Sequence, residues 1–129
     1  MRTYTYPYSA HYSPSMPVVE LTLYIPGRAQ SEQQRVGIID TGSDATMIPL
    51  SILEIMGARA VKEGTIRGIT GMSKLVSLYL IGMKIGLEDV HAVRVVGMPS
   101  GDEIILGRDV LNRVRLTLNG LANVTEIHE

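Results

Sequence analysis

The stretch Ile38-Ile39-Asp40-Thr41-Gly42-Ser43 decides how this chain is read. An apolar strand delivers a carboxylate into a tight turn. Asp, Thr, Gly and Ser are turn residues. Gly42 lets the backbone come close to its surroundings, and the Thr41 hydroxyl can be buried only if it is bonded. The product is an acid held rigidly at the end of a buried strand. An ordinary strand-to-turn junction has the same composition, so the segments on either side must decide.

Upstream, Val19, Leu21, Leu23 and Ile25 alternate with Glu20, Thr22 and Tyr24, the period of a half-buried strand that ends at Pro26-Gly27. Downstream, Thr46-Met47-Ile48 reads as a short buried strand. A short helix is expected over Pro49 to Met56, stopped by Gly57. Leu75 to Leu80 and Val90 to Val96 alternate again. Ile104-Ile105-Leu106 is a third apolar run, ending at Gly107, with a second helix expected over Asp109 to Arg113. Leu116, Leu118 and Asn119-Gly120 suggest a late strand and turn. Many short strands with two short helices predict a mostly-β, barrel-like domain.

The chain has 129 residues, of which 45% are hydrophobic, enough for one domain with a core. Phe and Trp are absent, so that core must rest on Val, Ile, Leu and Met. The net charge is −1 and no basic stripe marks a nucleic-acid surface. The absence of Cys excludes disulfides, a thiol nucleophile and a thiolate metal site. His11, His91 and His128 are too scattered to read as metal ligands. No apolar run is long enough for a membrane span, and Met1-Arg2-Thr3-Tyr4 lacks the apolar core of a signal peptide. A soluble, cytoplasmic protein is expected. Residues 1–17 stand apart, with four of the six Tyr and three of the six Pro. They are read as an N-terminal arm, residues 18–120 as the domain and 121–129 as a C-terminal extension. The arm is either loose or packed on the body or a partner subunit.

Three landmarks in order carry a resemblance: Asp40-Thr41-Gly42-Ser43 with Ala45-Thr46-Met47-Ile48-Pro49 behind it, Ile66-Arg67-Gly68-Ile69-Thr70-Gly71, and Ile104-Ile105-Leu106-Gly107-Arg108-Asp109-Val110-Leu111. Together they resemble the active-site segment, the flap and the C-terminal Gly-Arg corner of the retroviral-type (retropepsin-like) aspartic proteases, over about residues 18–120. The helix after Pro49 and the phrase from Leu111 to Gly120 look closer to microbial and cellular relatives than to viral enzymes. The fold implied is a closed, barrel-like acid protease lobe with a flap hairpin and one or two short helices.

The resemblance implies a catalytic triplet of Asp40, Thr41 and Gly42. Thr41 would brace the partner's loop, and the Ser43 hydroxyl would bond the Asp40 carboxylate. Asp44 would contact substrate and pair with Arg108. Gly68, Ile69 and Gly71 would form the flap tip. Ala45, Met47, Ile69 and Ile105 would line side-chain pockets. Arg67 departs from the small residue common at that point in viral flaps. In this family the chain ends interleave into a dimer sheet.

Aspartic protease chemistry needs two carboxylates sharing one proton, one acting as general base on a water and the other polarising the scissile carbonyl. The chain carries a single Asp-Thr-Gly and no Asp-Ser-Gly. The second Asp40 must therefore come from an identical chain, on a two-fold axis. The expectation is a homodimeric endopeptidase that needs no metal or cofactor and cuts extended peptides flanked by apolar residues. A dimeric module that holds peptides without cutting them is the alternative. An actin or sugar-kinase phosphate loop fits poorly, because the chain is too short for that two-domain architecture. Paired phosphatase aspartates fail because Asp40 and Asp44 lie four apart.

Overall fold

The hairpin at Pro26-Gly27 begins the architecture. Gly27 has φ +80, the left-handed conformation that follows proline in a type II turn. It joins β2 (Val18–Ile25) to β3 (Arg28–Ile39), which pair antiparallel from Val18↔Ile38 to Ile25↔Arg28. Ser31 is buried beside this turn because its Oγ accepts from the Ile25 N–H at 2.7 Å and donates to the Arg28 carbonyl at 2.6 Å. A computed structural model describes residues 1–129 in full.

The remaining body strands are β4 (Met47–Pro49), β5 (Ala60–Arg67), β6 (Ser73–Ile85), β7 (Glu88–Met98) and β8 (Ile104–Leu106). Their order is β2-β3-β8-β4-β7-β6-β5. An extra pairing of β2 with β6, Thr22↔Lys84 to Tyr24↔Gly82, closes the first six of these strands into a barrel. Closure requires Gly82, because the Tyr24 ring lies where a Cβ would stand. Only β5 is left outside the ring. It pairs with the first half of the long β6, while the second half of β6 belongs to the barrel wall.

Two helices cap the barrel. Helix α1 (Leu50–Met56) stops at Gly57, whose φ of 76 lets its N–H reach back to Glu54. It turns Ile52, Leu53 and Met56 inward. Helix α2 (Arg108–Leu111) follows β8 directly. It starts one residue earlier than expected and stops short of Arg113, with Asn112 as its C-cap. The core is one cluster of 19 buried residues, including Leu23, Leu53, Met83, Ile85 and Leu106. Each such side chain contributes roughly 1.5–3 kcal/mol relative to exposure. Neither helix is long and apolar enough to cross a membrane.

The chain ends form a second sheet. Strands β1 (Thr3–Pro7), β9 (Arg115–Asn119) and β10 (Val124–His128) lie in the order β1-β10-β9. β1 pairs with β10 from Thr3↔His128 to Pro7↔Val124, and β10 with β9 from Val124↔Asn119 to His128↔Arg115. Directly paired residues share a face, so Tyr4, Ile127 and Leu116 form one row and Tyr6, Thr125 and Leu118 the next. Ile127 belongs to the main core, and Tyr4, Tyr6 and Leu116 pack against it. The Tyr-rich arm is thus packed on the body, tied to the other end of its own chain.

If this terminal sheet is part of the cooperative unit, Ile127→Ala removes a core side chain rather than a tail residue. A urea unfolding curve should lose about 2–5 kcal/mol of stability. A change near zero would mean that the tail folds independently of the barrel.

Candidate active site

Asp40 leaves β3 at the moment the strand ends. Its N–H still donates to the Leu106 carbonyl of β8, at 3.1 Å, so it is set by the same ladder that aligns Ile39 with Leu106. The chain then reverses: the Ser43 N–H donates back to the Asp40 carbonyl at 3.2 Å. The Gly42 N–H donates to Asp40 Oδ1 at 3.0 Å and orients the carboxylate. A Cβ at Gly42 would lie 3.2 Å from that same oxygen, which is why glycine suits the position. Asp40 is half-buried, and Thr41, Gly42 and Asp44 are exposed beside it.

Three further ties hold the loop against α2. The Arg108 N–H donates to the Ser43 carbonyl at 2.8 Å, and Arg108 Nη1 donates to the Thr41 carbonyl at 2.8 Å. Arg108 Nη2 also lies 3.6 Å from Asp44 Oδ1. That ion pair matches the expected partnership, but Asp44 is 94% exposed, so solvent screens most of its value. The hydrogen bonds to the loop backbone do the positioning. The expected bond from Ser43 to Asp40 is not made: Ser43 Oγ donates instead to the Ala45 carbonyl at 2.8 Å. The cause is local, since the turn already supplies Asp40 with the Gly42 N–H and leaves the serine facing down the chain.

Thr46 and Asp109 were missed in the sequence. Thr46 is fully buried. Its N–H donates to Asp109 Oδ2 at 3.1 Å, its hydroxyl donates to Asp109 Oδ1 at 2.7 Å, and the same hydroxyl accepts from the Gly107 N–H at 3.1 Å. One carboxylate in the first turn of α2 therefore fastens the strand that follows the Asp40 loop. The signal available was a hydroxyl inside the apolar run Ala45 to Pro49, which had to find a partner. Gly107 completes the joint. A Cβ there would come within 2.6 Å of the Ala45 backbone.

Of the expected pocket residues, Met47 and Ile105 are directly paired across β4 and β8, and Ile105 also pairs with Ile38. Both are half-buried, as is Ala45. Gly68, Ile69 and Gly71 lie apart from them, at the tip of the β5–β6 hairpin. The Gly68 N–H donates to the Met72 carbonyl at 3.1 Å and the Gly71 N–H to the Gly68 carbonyl at 2.9 Å, with Gly71 at φ +81. Ile69 is completely exposed, and Met72 and Leu75 are largely so. The N-terminal arm reaches the loop before β8 through a hydrogen bond from the Tyr12 hydroxyl to Glu103, which is the main cause holding the Tyr12 phenol above its usual range. Two hollows of about 730 and 650 Å³ lie along the N-terminal arm, and neither is lined by Asp40.

The closed barrel, the glycine turn that carries Asp40 and the free hairpin agree with the fold class expected from the sequence. The chain belongs to the retroviral aspartyl protease family, whose model matches residues 15–119. Its fold is shared by a retropepsin-like aspartic protease from Rickettsia conorii, with a TM-score of 0.65 and 10% identity over 98% of this chain and 90% of that one. It is shared also by the EIAV protease complexed with the inhibitor HBY-793, with a TM-score of 0.57 and 18% identity over 75% of this chain and 86% of that one. No curated protein matches the chain in sequence.

Two substitutions test the joint. Thr46→Val leaves Asp109 and the Gly107 N–H short of a partner and should cost about 1–3 kcal/mol in thermal or urea unfolding, with Thr46→Ser restoring most of it. Gly107→Ala pushes backbone against backbone and should cost about 1–3 kcal/mol. A stable Gly107→Ala protein would show that α2 and the Asp40 loop are free to separate.

Proposed function

We propose that this protein is an aspartic endopeptidase whose active site is completed by a second copy of the same chain. The observation that carries the reading is Asp40 itself. It is a single half-buried carboxylate, oriented by its own turn, on a loop fastened to the body from two sides and otherwise open to solvent.

Two such carboxylates facing each other across a two-fold axis share one proton, because close like charges resist double ionisation. The ionised member takes a proton from the water held between them as that water attacks the scissile carbonyl. The protonated member donates to the carbonyl oxygen and stabilises the tetrahedral intermediate, and a proton then passes to the leaving amine. Thr41, exposed at the turn, braces the partner's loop, and Gly42 meets the substrate backbone. The glycine-rich tip around Gly68, Ile69 and Gly71 closes over an extended peptide and excludes water. Met47, Ile105 and Ala45 favour apolar side chains next to the cut, and Ser43 and Asp44 meet the substrate backbone further out. That Asp40 lines neither of the hollows along the N-terminal arm fits this reading, since half of a symmetric cleft is an open surface. The cytoplasm is the proposed compartment, as a chain without cysteine needs no oxidising environment.

The test is a diverse peptide mixture incubated with the protein across about pH 4–7 and read by mass spectrometry. Wild type should cut the mixture at sites flanked by apolar residues, within this range. Asp40→Asn should abolish cutting while leaving folding intact. Specific activity should fall on dilution as dimers dissociate. Cuts that persist in Asp40→Asn would remove this site from the mechanism. A folded wild-type dimer that never cuts would favour the peptide-holding module.

A further inference from the structure

Past Pro7 the N-terminal arm leaves its sheet and forms a roof. The Tyr8 N–H donates to the Asn123 carbonyl at 2.8 Å. Ser9 and Met16 then bond each other through both backbone groups, at 2.8 and 3.1 Å, which closes the residues between them into a loop. The tip of that loop reaches the segment before β8, where the Tyr12 hydroxyl donates to Glu103. Beneath it lies a hollow of about 650 Å³. Tyr8 to Tyr12 come ahead of the residues 15–119 that match the family model, so the roof is a feature of this chain.

The floor of the hollow is the outer face of β2 and β3. Val18 pairs with Ile38 and Glu20 with Val36, and directly paired residues share a face. Side chains alternate along a strand, so Val36, Ile38 and Asp40 point the same way. Asp40 is the next residue outward after this floor. From β8, Ile105 pairs with Ile38, and Glu103 precedes Ile105 by two. Hollow and carboxylate thus occupy one continuous face. About 13 Å of strand separates Val36 from Asp40, the reach of about four residues of an extended peptide.

The lining has two parts. Val18, Val36, Ile38 and Ile104 make an apolar floor, and Val36 is left 52% exposed in it. Glu20, Asp102 and Glu103 stand exposed at the rim. No Lys or Arg lines the hollow, and none of the three carboxylates belongs to an ion pair. An apolar slot with unpaired acids at its mouth matches a long side chain with an apolar stem and a cationic head. We infer that the hollow receives a Lys or Arg side chain of the substrate, about two to four residues from the bond that is cut. Glu103 meets the cationic head. Tyr12 is a positioning residue that holds the roof and this carboxylate together. The inference rests on the peptidase reading above and deepens it, adding a basic residue further out to the apolar ones beside the cut.

Short random peptides test it, read in two ways by mass spectrometry: as cuts made by the wild type, and as peptides retained on immobilised Asp40→Asn protein. At one position near the cuts, Lys and Arg should be enriched at least about tenfold over Asp and Glu, and the retained peptides should be enriched in Lys and Arg as well. Glu103→Gln should lower both enrichments at least about threefold, and Glu103→Lys should turn the preference toward Asp and Glu. Glu103 is exposed, so both variants keep the fold. A reversal of preference cannot come from loosened structure. Tyr12→Phe keeps the ring, removes the bond to Glu103 and should lower the enrichment about threefold. Combined with Glu103→Gln it should add little, since the two side chains act as one unit. Glu54→Gln, at an exposed carboxylate on α1 outside the hollow, should change neither reading.

Cuts without a basic preference, or with one that survives Glu103→Lys, would overturn the inference and leave the peptidase standing. A wild type that never cuts, yet whose retention of basic peptides is reversed by Glu103→Lys, would keep the hollow and remove the peptidase. Neither cuts nor selective retention would remove both.

Discussion

The structure depends on the contact between Gly107 and the backbone of Ala45. No side chain separates the corner after β8 from the strand that follows the Asp40 loop, and the two backbones approach to a distance that any Cβ would forbid. The approach brings the Gly107 N–H onto Thr46, Thr46 onto Asp109, and Arg108 onto the carbonyls of Thr41 and Ser43. Each of these bonds is modest by itself. Together they fix a loop whose own residues, exposed and turn-forming, could not hold one conformation unaided. The barrel contributes the other half of the constraint, because Asp40 hangs from β8 through the Leu106 carbonyl.

This arrangement explains a division of labour among the charged groups. Asp109 is drawn into the joint and bonded twice by Thr46, so it serves geometry. Asp44 is nearly free in solvent, and its ion pair with Arg108 adds little to stability. Asp40 lies between these extremes. It is half-buried, oriented through one oxygen by Gly42, and retains a second oxygen with no bond inside the chain. On the proposed function, that is the condition of one half of a shared-proton pair.

The sequence displayed the Asp40 loop well, because its chemistry is local: an apolar strand, a turn and a glycine occupy six consecutive residues. The three landmarks also fixed the order of loop, hairpin and corner, and hence the family. Much else was hidden for physical reasons. The first half of β3, Arg28 to Gln34, is polar and exposed on most positions, so it shows no apolar period, and only its hairpin with β2 makes it a strand. β5 is similarly exposed and exists because β6 extends beyond the barrel to meet it. The partnership of Thr46 with Asp109 spans 63 residues, which no short motif can express. The Ser43 hydroxyl was assigned to the wrong acceptor because several oxygens lie within reach of a turn serine, and only coordinates distinguish them.

The terminal sheet separates two requirements that a two-chain enzyme could have merged. Because β1 and β10 close on each other within one chain, Ile127 and Tyr4 reach the core without help from a partner. The barrel, the Asp40 loop and its joint with α2 are likewise complete within one subunit. Folding can therefore precede association, and the subunit's stability need not rise with concentration as it does in dimers that have no folded monomer. The proposed chemistry has the opposite dependence, since one Asp40 can do nothing alone. On the proposed function, a chain built in this way would keep its acid inactive while dilute and folded, and would become competent when two copies meet.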